Sequence, residues 1–221
     1  SSSGTGAAIS ASFAMVGIGT DTGGSIRVPS SVQGLVGLRP SLRLLSQDGI
    51  IPLAPTQDTA GPMCRQAIDC AKLMDAMIGF DSSLSSNQRS EFSRTSPLLK
   101  SESAYRELIN QPNSYVPHDT VSLVGKRIGI VQALYPSEGS TTQQKEDYNL
   151  VKEAMDNAIT KLEEAGATVE IVTISDLNTI LTRYSSLSSA EFKISLTEYL
   201  KTTRSIYQSY EDLLASGLMI R

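Results

Sequence analysis

A serine preceded by two glycines stands in the run Gly19-Thr20-Asp21-Thr22-Gly23-Gly24-Ser25-Ile26-Arg27, and a second serine cluster, Ser1-Ser2-Ser3-Gly4, begins 24 positions before Ser25. Glycine lacks a Cβ, reaches positive φ readily and lets another group approach the main chain closely. Gly23 and Gly24 therefore predict a tight turn whose successive N–H groups converge on one point. Val16-Gly17-Ile18-Gly19 reads as a short strand leading into that turn, and a short helix is expected after Arg27-Val28-Pro29.

The chemistry such a turn can perform depends on what surrounds the hydroxyl. A serine attacks a carbonyl when a base takes its proton and preorganised N–H donors receive the tetrahedral oxyanion. Ser25 is the candidate nucleophile, and the amides of Thr22, Gly23, Gly24 and Ser25 are the candidate oxyanion donors, each worth about 3–4 kcal/mol when well placed. Ordinary turns and phosphate-binding nests use the same residue types, so the turn alone does not choose between these uses. Asp21 and Arg27 flank it within a small and apolar segment, where unpaired charges are costly to bury. They are expected either to pair with each other or to meet other polar groups. Ser2 and Thr20 are candidates for hydrogen bonds that hold the two serine segments together.

Three stretches taken jointly go further. Ser1 to Ala8, Gly19 to Ser30 and Gly34-Leu35-Val36-Gly37-Leu38-Arg39-Pro40-Ser41 resemble, in order, spacing and residue type, the amidase signature family. The likeness covers residues 1–80 closely, continuing through Asp48-Gly49-Ile50-Ile51-Pro52-Leu53 and Thr56-Gln57-Asp58-Thr59-Ala60-Gly61-Pro62-Met63, and is nearest in character to peptide-amidase-like members. The resemblance implies a Ser, cis-Ser, Lys triad, with Ser25 as nucleophile and Ser1 as the bridging serine that relays a proton to lysine. It implies hydrolysis of a carboxamide C–N bond through an acyl-enzyme, without metal or organic cofactor. It also implies that Asp21 and Arg27 support the catalytic loop.

The family's lysine precedes the serine cluster, whereas the first lysine here is Lys72, flanked by Asp69 and Asp75 on an expected amphipathic helix. That pattern reads as a solvated flank, and a basic lysine needs burial and neighbouring charge to lower its pKa. The expectation is a chain that carries part of a catalytic domain and is inactive by itself. Three alternatives stay open: the glutaminase subunit of a tRNA-dependent amidotransferase, a hydrolase of urea derivatives such as allophanate or biuret, and a catalytically inactive scaffold or binding protein.

Other serine-hydrolase designs fit poorly. Arg27 stands where GxSxG requires glycine, no SxxK occurs, and the single histidine, His118, sits in the Pro-flanked stretch Tyr115-Val116-Pro117-His118-Asp119, read as a surface loop. Cys64 and Cys70 lie six positions apart. Placed together on a helix starting near Arg65 they would be about 9 Å apart along its axis, too far for a disulfide. Two free thiols are expected, compatible with a reducing, cytoplasmic setting, and two cysteines with one histidine make no zinc pattern.

A formal net charge of −4 without a Lys/Arg cluster offers no footprint for nucleic acid or an anionic membrane, and no apolar run approaches the roughly 20 residues that span a bilayer. The expected partners are a small amide or peptide-amide substrate and the remainder of the same domain, with oligomeric state open.

Helix and strand alternate along the chain. A buried helix is expected at Gly6–Ala14, a strand at Gly34–Arg39 stopped by Pro40, and a helix from Arg65 to about Gly79, with Gly61-Pro62 as its lead-in. Its Met74 and Met77 read as core. Ser82–Ser103 reads as a surface connection. A strand at Lys126–Val131, a helix at Asp147–Ala165 and a strand at Thr168–Val172 predict a right-handed parallel unit, with Glu163 and Glu164 on a solvated face. Helix Glu191–Leu200 follows, with Phe192, Leu196 and Leu200 on one side. Together these give an α/β fold with a mixed β-sheet core flanked by helix layers. The expectation is that residues 1–221 form part of a single domain, with 1–80 its catalytic core segment and 124–221 its α/β and helical continuation.

Overall fold

The structure, a computed structural model, describes residues 1–80, 101–109, 115–117, 122–134 and 138–218. The described chain divides into two units, Ser1–Val116 with Ser185–Arg221, and Pro117–Tyr184. His118 and most of the Ser82–Ser103 connection lie outside the described residues, and Glu102, at the end of that connection, opens helix α4 (Glu102–Ile109).

Strand β3 (Thr59–Cys64) is the centre of the first unit. It pairs antiparallel with β1 (Val16–Asp21) on one side and β2 (Val36–Gly37) on the other, and all six of its residues are buried. Sequence reading placed Gly61-Pro62 at the entrance to a helix, because proline ordinarily breaks a central strand. The strand accommodates it nonetheless: Pro62 stands opposite Ile18 in the ladder and its carbonyl accepts the Leu38 N–H at 3.0 Å.

Side chains alternate across the sheet, and each face of β3 has its own cluster. Met63 packs with Ile9 of α1 (Ser3–Ser10) and with Ile26, just before α2 (Arg27–Val32). Ala60 packs with Leu45 and with Met74 of α3 (Ala67–Met77). Met63 and Met74 are thus core residues, and Met77 packs against the second cluster.

Two glycines face each other across the central ladder, Gly19 of β1 and Gly61 of β3. A Cβ on Gly61 would run into the Leu38 carbonyl oxygen and lie 3.0 Å from Ile26 Cδ1. One on Gly19 would lie 2.8 Å from Ser2 Oγ and 3.0 Å from Ile26 Cγ1. Bare backbone here is what lets the start of α1 and the Ser25 turn lie against β1. At its other end α1 stops earlier than expected, in a left-handed residue, Ser12 (φ 62°), with Phe13 N donating to Ala8 O at 2.7 Å. Arg65 Nη1 donates to the carbonyls of Ile9 (2.8 Å) and Ala14 (3.0 Å), holding that end to the segment after β3.

Cys64 and Cys70 form a disulfide with a Cα–Cα distance of 5.6 Å, which corrects the expectation of free thiols. The two were placed on one helix, but Cys64 ends β3, the chain turns at Arg65-Gln66, and α3 starts only at Ala67. Cys64 projects from the face of β3 that α3 covers, so a first-turn helix residue reaches it. The pairing removes the basis for inferring a reducing compartment. No helix among the described residues is long and apolar enough to cross a membrane.

In the second unit β4 (Arg127–Val131) and β5 (Thr168–Val172) are parallel, with Arg127 opposite Thr168, joined through the long helix α5 (Thr142–Glu164). The helix begins earlier than expected because Thr141 and Gln144 form a capping box. It ends before Gly166, whose φ of 94° suits glycine alone. Glu163 and Glu164 are exposed, and α6 (Leu177–Arg183) follows β5.

The chain then returns to the first unit as α7 (Ser188–Thr202) and α8 (Tyr210–Ala215). Leu196 and Leu200 of α7 are buried, and the Phe192 ring meets Tyr210 edge-on at 5.9 Å. The fold class is α/β, its strands pairing antiparallel in one unit and parallel in the other, with helices packed on them.

Candidate active site

Between the end of β1 and the start of α2, the turn is built around one carboxylate. Asp21 is fully buried. Its Oδ1 accepts the amide of Gly24 at 2.6 Å, and its Oδ2 accepts those of Ile26 (3.1 Å) and Arg27 (3.4 Å). Arg27 closes over it with Nε at 3.1 Å and Nη2 at 3.2 Å, while its own side chain stays about half exposed. Arg39 Nε lies 3.3 Å from Oδ1 as an ion pair, without hydrogen-bond alignment.

Burial alone would push the Asp21 carboxyl up. The Arg27 guanidinium and then the amides of Gly24, Ile26 and Arg27 outweigh that effect and hold it far below the usual carboxylate range. Gly24, at φ 119°, supplies the one left-handed residue that this wrap requires.

Ser25 is half-buried at the tip of the turn. Of the four amides considered as oxyanion donors, that of Gly24 is committed to Asp21. Those of Thr22, Gly23 and Ser25 have no protein acceptor among the described residues.

The first residues of the chain lie directly beside this turn. Ser2 N donates to Ser25 O at 2.9 Å, and the Ser2 hydroxyl both accepts Thr20 N (3.0 Å) and donates to Thr20 O (3.1 Å). Ser2 and Thr20 thus join the two serine segments. Ser1 is exposed, and its Oγ accepts from Ser3 Oγ at 3.3 Å. Ser1 directly precedes Ser2, whose amide bonds the Ser25 carbonyl, and α1 begins at Ser3. Lys72, on α3, is exposed.

Four residues that sequence reading did not assign complete the surroundings. Asp58, nearly fully buried, accepts the Thr22 hydroxyl on Oδ1 at 2.5 Å, and on Oδ2 the amides of Leu53 (2.8 Å) and Ala54 (2.9 Å). Arg39 Nη2 donates to Gln57 O at 3.0 Å. From α7, the Glu191 carboxylate accepts Thr56 N at 3.1 Å and the Thr56 hydroxyl at 2.5 Å. Gln57 Oε1 accepts Leu187 N at 2.8 Å and Ser186 Oγ at 3.2 Å. Arg39, Gln57 and Asp58 lie in stretches that carry the family likeness and Glu191 opens an expected helix, but nothing in their local sequence gives them a role beside Ser25.

A separate cleft of about 610 Å³ lies in the second unit, between α5 and the β4–β5 pair, lined by Tyr148, Lys152, Asp156 and Glu170 among others. Lys152 pairs with Asp156 and Glu170 with Arg127, and Glu163 also lines the cleft. Among the described residues no cluster of three or more His, Cys, Asp or Glu is arranged to hold a metal ion.

The sequence model of the family described as Amidase matches residues 1–218. A glutamyl-tRNA(Gln) amidotransferase subunit from Cupriavidus necator is 34% identical over 199 residues, covering 90% of this chain and 37% of that protein. Its counterpart from Psychrobacter cryohalolentis is 36% identical over 200 residues, covering 90% of this chain and 36% of that protein. Among solved structures, the native peptide amidase from Stenotrophomonas maltophilia is 34% identical with a TM-score of 0.73, over 98% of this chain and 39% of that one. An amidase family protein from Bacillus anthracis is 29% identical with a TM-score of 0.71, over 98% of this chain and 38% of that one. The chain therefore spans little more than a third of the length of these relatives. Since the family match runs through the serine segments and the turn and on past α8, the chain belongs to the Amidase family.

Proposed function

We propose that the protein hydrolyses a carboxamide C–N bond through an acyl-enzyme on Ser25. The observation that carries this reading is the Ser2–Ser25 main-chain bond, which sets the first serine segment against a half-buried serine flanked by uncommitted amides. In this reading the Ser25 hydroxyl attacks the amide carbonyl, and its proton passes by way of Ser1 toward a lysine. The amides of Thr22, Gly23 and Ser25 receive the oxyanion. The leaving ammonia or amine takes the proton back, and water then releases the carboxylate from the ester. Asp21, Arg27, Ser2 and Thr20 hold the turn and the serine segment in place.

Lys72 is a poor candidate for the base, since it is exposed on α3 with Asp69 and Asp75 three residues to either side. The activity proposed is that of the whole protein, with the lysine drawn from outside residues 1–221, and its substrate is a small amide or a peptide amide. The test is Ser25→Ala in the full-length protein. Turnover of amide substrates is expected to fall by at least ~10³-fold, and labelling by a serine-directed phosphonate to disappear. Retained turnover rejects the assignment.

A second reading is favoured by the identity to the amidotransferase proteins: a glutaminase that passes ammonia to a partner. Glutamine-dependent transfer and copurifying partner chains identify it. Hydrolysis of C-terminally amidated peptides by the isolated protein identifies the free amidase.

A further inference from the structure

We propose that Asp58 is a positioning residue for the Ser25 turn, fixing the Thr22 end of the candidate oxyanion site through the Thr22 hydroxyl. The inference rests on the reading of Ser25 as nucleophile and adds a residue that neither the serine segments nor the turn contains.

The carboxylate of Asp58 faces two ways. Oδ1 takes the Thr22 hydroxyl, and Oδ2 takes two consecutive amides of its own loop, Leu53 and Ala54. The loop is closed on itself by Gln57 N and Asp58 N, which both donate to Ala54 O at 2.8 Å. Asp58 therefore cannot move without unmaking the loop. Arg43, buried and left-handed at φ 66°, adds a further tie by donating from Nη2 to Pro55 O.

Two outer contacts hold the same loop in place. Arg39 joins it to the turn a second time, with Nε beside Asp21 and Nη2 on Gln57 O. Helix α7 grips its far side through Glu191 on Thr56 and the Leu187 amide on Gln57. The Thr22 side chain is thus bound to a frame made by other parts of the chain.

The consequence falls on the main chain of Thr22. Asp21 anchors the turn from Gly24 onward, through the amides of Gly24, Ile26 and Arg27. Nothing in that set restrains Thr22 or Gly23, whose amides are two of the three uncommitted donors. The Thr22–Asp58 bond supplies the missing restraint. Catalysis by fixed donors depends on their orientation before charge develops, so losing this bond lowers the rate of the chemical step while leaving substrate binding largely intact.

The test uses the full-length protein with Thr22→Val, Thr22→Ser, Asp58→Asn and the Thr22→Val/Asp58→Asn pair, alongside Ser25→Ala. Thr22→Val is expected to lower kcat by about 10–100-fold with KM changed less than about threefold. Thr22→Ser, which keeps the hydroxyl, stays within about threefold of the parent. Asp58→Asn lowers kcat like Thr22→Val, and the double variant is no worse than the poorer single one, as expected for two ends of one interaction. If Asp58→Asn does not fold, the Val and Ser variants at position 22 decide the matter.

A Thr22→Val protein with parental kcat overturns the inference, as do equal losses in Thr22→Val and Thr22→Ser or fully multiplicative losses in the double variant. Retained turnover in Ser25→Ala instead overturns the nucleophile assignment on which the inference stands. A dead Ser25→Ala beside an unaffected Thr22→Val rejects the role of Asp58 alone.

Discussion

The Ser2 amide donates to the Ser25 carbonyl over 2.9 Å, so the residue after the candidate bridging serine and the candidate nucleophile share a main-chain hydrogen bond. The Ser2 hydroxyl reinforces that junction with two bonds to the Thr20 backbone. Ser2→Ala keeps the amide bond and loses both hydroxyl bonds. A loss of about 1–2 kcal/mol in unfolding free energy is expected, measured by urea titration, together with a lower kcat in the full-length protein.

Asp21 gives the fold an acid-sensitive element. Its carboxyl titrates far below the ordinary range when folded, so its contribution to stability is complete above the unfolded carboxylate value of about 3.9. That contribution is lost as pH falls below this value toward the folded one. Asp21→Asn is expected to be less stable than the parent at neutral pH by about 3 kcal/mol. The gap narrows as the pH is lowered below about 4, as urea titrations at a series of pH values would show.

The facing glycines Gly19 and Gly61 leave no space for a methyl group. At Gly61 the obstacle on one side is a carbonyl oxygen, that of Leu38, which cannot turn aside as a side chain end can. Gly61→Ala is expected to lower stability by about 1–3 kcal/mol. Gly19→Ala instead presses on Ser2 and Ile26, so in the full-length protein it lowers kcat as well as melting temperature.

The disulfide is open to direct assay. Unfolding in denaturant without reductant is expected to expose no titratable thiol, and unfolding with prior reduction to expose two. Closing so short a loop, with a sequence separation of 6, is worth about 2 kcal/mol. Cys64→Ala/Cys70→Ala is expected to lose a similar amount, read as a drop in melting temperature.

The parts of the site that were legible in the sequence are those held by short-range forces. Gly24 needs positive φ, Asp21 reaches amides three to six residues ahead, and Arg27 folds back on it. Asp58 is 36 residues from Thr22, and Glu191 is 135 from Thr56; no periodicity or motif links positions that meet only after the sheet and α7 are assembled. β3 was hidden for a related reason. Its Gly-Pro pair signals a break locally, and only two flanking strands and two helix-packed faces make a strand of it. The disulfide was lost along with β3, because the misplaced helix start put both cysteines on one element.

The brace that α7 applies to the Leu53–Asp58 loop arrives after the groups it steadies. A ribosome adding about 5–20 residues per second delivers Glu191 on the order of ten seconds after Thr56. Throughout that interval the nascent chain already holds Ser2, Asp21, Ser25, Arg39 and Asp58 but lacks the contacts that Leu187 and Glu191 make with the loop. The candidate site is thus put together from the inside outward, and its rim is tightened only once α7 has left the exit tunnel.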